Sequence, residues 1–174
     1  MESRPISARR FRSRRPSRKS GCGHVAATIT VHHLVLTLDD VIGDKLQPHH
    51  FCKPIPKRKG DVEYLRRMAV KGGPKFFLGT DSAPHSQRNK ECGSGYAGVF
   101  TAPLAIPLLA TLFEEWGFLD CLEPFTSEYG AQFYNLPLNE GTIELVKHPM
   151  LVAAAYGEVV PLYAGKTLPW SVVR

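Results

Sequence analysis

The alternation of apolar and polar positions changes rhythm several times along this chain, and each change marks an element. From residue 25 the run VAATITVHHLVLTL is rich in β-branched side chains, among them Val25, Thr28, Ile29, Thr30 and Val31, and predicts a buried strand of about five residues. The next segment, DDVIGDKLQPHHFCKPIPKRKGD, carries Pro48, Pro54 and Pro56 and reads as a long excursion from a strand end. Residues 62–71, VEYLRRMAVK, then put Val62, Leu65, Met68 and Ala69 on one helical face, with Asp61 the expected N-cap and Gly72 the expected residue past the end. Pro74 is expected to open a second strand, KFFLGT. Strand, loop, helix, strand is a βαβ unit, which implies parallel pairing and a sheet covered by helices.

Further along, TAPLAIPLLATLFEEWG predicts a mostly apolar helix closed by Gly117, with Pro103 suited to a first turn and Pro107 marking either the true start or a kink. From Phe125 onward the pattern suggests short helices and then two brief strands, TIELV and VVPLY. The expected fold class is therefore α/β.

Composition alters this picture mainly at the amino end. The chain has 174 residues, 43% of them hydrophobic, which is globular composition and excludes a wholly disordered or coiled-coil protein. Its net charge of +6 is unevenly placed. The first twenty residues hold seven Arg and one Lys against one Glu, so the remainder is nearly neutral. Residues 1–22 read as a disordered Arg-rich tail and residues 23–174 as the folded part. Such a tail could be a transit peptide, a polyanion-binding arm or a stretch without selected function. Pro5, Pro16 and the clustered arginines oppose the amphipathic helix of a transit peptide, and overall charge gives no argument for nucleic-acid binding by the body.

Cys22, Cys52, Cys92 and Cys121 are spread without a CxxC pair, which suits a reducing, cytoplasmic setting better than a disulfide framework. The uncharged stretch from Cys92 to Phe113 is interrupted by Gly93, Gly95, Gly98, Pro103 and Pro107, so the chain is expected to be soluble, without a membrane span.

The sharpest chemical signal is FFLGTDSAPH. It sets Asp81 at the carboxyl end of a buried strand, with His85 in the loop that follows. In parallel α/β folds that rim is where ligands bind, and a carboxylate there can act as a general base, hold a metal or merely cap a turn. The run KECGSGYAGVF surrounds Ala97 with glycines that let backbone N–H groups approach a ligand oxygen. Lys53, Lys57, Arg58 and Lys59 form a basic cluster, a solvated face unless the substrate is anionic. The pairs His32-His33 and His49-His50, with Cys52 nearby, look like metal ligands, but they lack metal-site spacing, and neighbours on a strand face opposite ways, so at most one of each pair can face a given site.

The segments ATITVHHLVL, PHHFCKPIPKR, FFLGTDSAPH, KECGSGYAGVFTAP and FYNLPLNEGTIELV, in this order and spacing, together resemble dihydroorotase of the shorter, homodimeric bacterial type, in the amidohydrolase superfamily. The resemblance spans roughly residues 25 to 174 and implies a (β/α)8 barrel, of which this chain would carry about the last two strands and the carboxyl-terminal helices as an incomplete barrel. It implies a reversible hydrolysis of L-dihydroorotate to N-carbamoyl-L-aspartate in pyrimidine synthesis, with two zinc ions as cofactor. Asp81 matches the metal ligand that also shuttles the proton, His85 the histidine that holds the substrate carboxylate, and the Ala97 backbone a second substrate contact. Lys53 matches a position whose main chain touches the substrate, with lysine standing where leucine is expected. The remaining metal ligands and two carboxylate-clamping residues belong to earlier strands that are not matched here, and the Arg-rich tail stands where the sixth strand should be. Activity of this chain alone is accordingly not expected, and a complementing barrel fragment is the expected macromolecular partner alongside a homodimer.

Overall fold

The computed structural model describes residues 25–173; the Arg-rich segment and Cys22 lie outside them. In chain order the described elements are β1 (Ala27–Ile29), α1 (Asp39–Ile42), α2 (Lys59–Lys71), β2 (Phe76–Leu78), α3 (Gln87–Lys90), α4 (Ala105–Glu115), α5 (Tyr129–Tyr134), β3 (Leu145–Val146), β4 (Met150–Leu151), β5 (Thr167–Leu168) and β6 (Ser171–Val172).

The expected βαβ unit is present. β1 and β2 pair in parallel, with Ala27 opposite Phe76 and Ile29 opposite Leu78, and α2 makes the crossover. Both strands are shorter than the sequence pattern suggests, and the Gly79 N–H extends the ladder by one bond to the Ile29 carbonyl at 3.1 Å. Ile29 and Phe77 are buried, whereas Ala27 and Thr28 are exposed, leaving the outer side of β1 open.

Four local expectations are corrected. The crossover helix starts at Lys59, two residues before Asp61, because the Asp61 carboxylate caps from within the first turn and accepts the Arg58 N–H at 3.0 Å. Gly73, not Gly72, takes the left-handed conformation past the helix end (φ 66°). Pro74 sits in a 3₁₀ turn, Gly73–Lys75, so the strand begins only at Phe76. His32 and His33 likewise lie on a 3₁₀ turn, His32–Leu34, and the argument that strand neighbours face opposite ways does not apply to them.

α4 is the most deeply buried helix of the core. Pro107 falls in its first turn, where a missing N–H costs no intrahelical bond, and Gly117 closes it with φ 75°. Phe113, Leu104, Leu108 and Leu109 are buried there together with Phe125, Leu34, Leu162 and Val152. Of the two late strands expected, TIELV contributes β3, which pairs with β6. VVPLY forms no strand; it makes isolated bridges, Phe100 with Pro161 and Tyr156 with Val159, while β4 pairs with β5. Among the described residues, no helix is long and apolar enough to cross a membrane.

Candidate active site

The carboxyl ends of β1 and β2 converge on a cleft of about 520 Å³ lined by Thr28, Thr30, His33, Lys57, Gly79 and Asp81, among others. Asp81 stands three residues beyond the last paired residue of β2, its side chain 58% exposed and its backbone in the left-handed region at φ 41°. Aspartate tolerates that conformation better than most residues, and such conformations gather at functional sites. Ser82 anchors the segment. It bridges to Val99, and its Oγ accepts the N–H groups of Thr101 (3.0 Å) and Ala102 (2.9 Å).

His85 and Ala97, read separately from the sequence, are joined: the His85 Nε2–H donates to the Ala97 carbonyl at 3.1 Å. Gly98 permits this closeness. At φ 150°, a Cβ there would lie 2.6 Å from the Ala83 Cβ and 2.9 Å from the His85 ring. Lys53 is exposed, and the lysine that lines the cleft is Lys57, four residues on in the same basic cluster.

The histidine pairs divide. His49 Nε2 bonds to Glu91 at 2.9 Å, which helps hold that carboxyl below its usual range, and His50 Nδ1 donates to the Asp40 carbonyl at 2.8 Å. His32 is fully buried with neither ring nitrogen hydrogen-bonded, and its Nε2 lies 3.9 Å from Asp81 Oδ2. Burial, reinforced by His33, lowers its pKa to about 4, so this is a neutral imidazole beside a carboxylate and not an ion pair at neutral pH.

Among the described residues, the donors near the rim do not make a binuclear zinc centre. Among the described residues, the one group of three donors close enough to share a metal is His32, His33 and Cys52, and it excludes Asp81. Two of the three are engaged: His33 bonds Thr30 Oγ1 at 2.6 Å and the Pro54 carbonyl at 2.8 Å, and the Cys52 thiol, its pKa raised to about 11 by burial, donates to Pro54 at 3.5 Å. The exposed carboxylate of Asp81 stands apart from that group, and the chemistry open to this chain's own residues is binding, orientation and proton transfer.

Lys90 is the residue the sequence reading missed. It is 3% exposed although it sits in the short surface helix α3 between exposed Asn89 and Glu91. The motif KE follows FLGTDSAPH, but no pattern in α3 distinguishes a lysine that turns inward from one that does not.

A cleft at the carboxyl ends of parallel strands, with an exposed aspartate at one strand end, is the place where α/β folds bind their ligands. The comparisons with known proteins define the class further, although no family model matches the chain. It is 47% identical over 152 residues to the dihydroorotase of Coxiella burnetii, covering 85% of this chain and 44% of that protein. The dihydroorotase of Idiomarina loihiensis is also 47% identical, with 86% and 44% covered, and the mitochondrial dihydroorotase of Oryza sativa is 45% identical, with 85% and 37% covered. Two solved structures agree. Dihydroorotase from Campylobacter jejuni matches with a TM-score of 0.78 and 41% identity, covering 86% of this chain and 45% of that one. Dihydroorotase from Saccharomyces cerevisiae, in complex with 5-fluoroorotic acid, matches with a TM-score of 0.77 and 40% identity, covering 86% and 43%. By sequence and by fold the chain is similar to the carboxyl-terminal part of dihydroorotases, and it spans less than half the length of the relatives it matches.

Proposed function

We propose that residues 23–174 are the closing part of a dihydroorotase barrel, with β1 and β2 as its last two strands and Asp81 at the reacting centre. The observation that carries this reading is the open, left-handed Asp81 at the carboxyl end of β2, within a segment shared with dihydroorotases. In the hydrolytic direction its carboxylate takes a proton from the attacking water at the ring amide and returns it to the departing nitrogen. His85 and the backbone at Ala97 hold the substrate carboxylate, and the main chain at Lys53 makes a further contact. In the family, zinc supplies Lewis acidity; here Asp81 provides one of its ligands, and the others come from polypeptide beyond the described residues. The exposed outer side of β1 supports docking of that polypeptide, because an unpaired strand edge is a template for further strands. The free thiols of Cys52, Cys92 and Cys121 support a reducing compartment such as the cytoplasm.

The test combines this chain with the amino-terminal part of the Coxiella burnetii relative and zinc, and follows L-dihydroorotate hydrolysis. The chain alone is expected to be inactive and the combination active. Turnover by the chain alone would overturn the incomplete-barrel reading. A tight but inactive assembly would leave a non-catalytic docking subunit.

A further inference from the structure

The two backbone stretches proposed to contact substrate belong to loops more than forty residues apart, and one buried cation joins them. Lys90 Nζ donates to the carbonyls of Phe51 at 2.9 Å, Tyr96 at 2.7 Å and Gly98 at 2.6 Å. Three acceptors use the three protons of an ammonium group, and no carboxylate is among them. Phe51 lies two residues before Lys53, while Tyr96 and Gly98 flank Ala97 on either side. The Gly98 N–H also donates to the Phe51 carbonyl at 2.9 Å, so the loops touch directly where the lysine gathers them.

A buried ammonium is costly, and desolvation lowers the Lys90 pKa to about 8. An apolar side chain would fill the same space at less cost, so what the cation contributes is direction. In a trans peptide the C=O and N–H point opposite ways. Holding the Tyr96 carbonyl on Nζ therefore turns the Ala97 N–H away from the lysine, and that N–H donates to no backbone carbonyl among the described residues. The Ala97 carbonyl, meanwhile, is taken by His85.

We propose that Lys90 is a positioning residue: it locks the Phe51–Lys53 and Tyr96–Gly98 stretches into one unit and presents the Ala97 N–H, beside His85, as a donor for a substrate carboxylate. This rests on the dihydroorotase reading for the identity of the ligand, and on the observed hydrogen bonds alone for the locking.

The experiment has two arms, so that failure of one reading is distinguishable from failure of the other. In the first, amide hydrogen exchange is measured by NMR on the full chain and on Lys90→Met. Exchange at Gly98 and in the residue 51–53 loop should rise together by roughly tenfold, the loss of about one charge-assisted bond, while Leu108 to Phe113 stay protected. Unchanged exchange, or loosening of one loop only, would overturn the proposal. If Lys90→Met does not fold, the unmodified chain decides: the Lys90 ammonium protons should exchange slowly and show hydrogen-bond couplings to all three carbonyls, and fast exchange would overturn it. In the second arm, Lys90→Met in the zinc-loaded combination with the amino-terminal part should raise KM for L-dihydroorotate about tenfold, with kcat within about threefold. An unchanged KM would refute the positioning role. An inactive wild-type combination would refute the dihydroorotase reading, with the exchange arm still deciding the locking.

Discussion

The helix α4 and the carboxyl ends of β1 and β2 are built to opposite rules. Around α4 the chain is dry and satisfied: Phe113 and Phe125 are fully buried with ring centroids 5.4 Å apart, and Thr111 returns its hydroxyl proton to the Pro107 carbonyl at 2.9 Å. At the carboxyl ends of β1 and β2 the chain is open. Asp81 is exposed in a left-handed conformation, His32 is buried without a hydrogen bond, and the cleft beside them is large enough to admit a small ligand or a packing segment. One region invests in stability and the other leaves polar groups available, which is how a scaffold and a site divide labour.

Mutations in the two regions should separate accordingly. Phe113→Ala should have the largest effect, lowering unfolding free energy by about 3–5 kcal/mol in denaturant titration, since it opens a cavity in the dry half. Ser82→Ala lies at the boundary. It removes the acceptor of two backbone N–H groups, one of them on fully buried Thr101, and should cost about 1–3 kcal/mol. The next effect is smaller and depends on pH. Glu114 accepts from Lys147 Nζ at 2.6 Å and from Trp170 Nε1 at 2.9 Å, and these bonds, the lysine first, lower its carboxyl pKa. A carboxyl depressed on folding contributes stability that is complete above its ordinary value near 4.5 and is lost as pH falls through the lowered one. Glu114→Gln should therefore flatten the acid limb of a thermal-stability profile while leaving it nearly unchanged at neutral pH. Asp81→Asn should move stability least, within about 0.5 kcal/mol, because the side chain is largely in solvent and Asn tolerates the same backbone conformation.

The same division explains what was legible in the sequence. Strong local signals were read correctly: a strand within the β-branched run, though shorter and more exposed than expected, the apolar face of α2, Gly117 at the end of α4, and the position of Asp81 just past β2. What escaped depends on partners far away in the chain. The end of β1 as a strand and the start of a 3₁₀ turn at His32 are not marked by any residue type that forbids continuation. Asp61 caps from inside the helix in place of preceding it, a shift of three positions that the same residue pattern allows. The pairing of β4 with β5, in place of a VVPLY strand, brings together residues 16 or more apart that carry no matching code. Lys90 is the clearest instance, for its burial is decided by carbonyls at positions 51, 96 and 98.

The central claim is that the open rim is the chemical end of a dihydroorotase. The direct measurement is the kcat for L-dihydroorotate of this chain combined with the amino-terminal part of a relative and zinc, compared between the unmodified chain and Asp81→Asn at matched thermal stability. The account predicts a fall of at least about a hundredfold, the usual scale for removing a proton-transferring group. An active assembly indifferent to Asp81→Asn would contradict it.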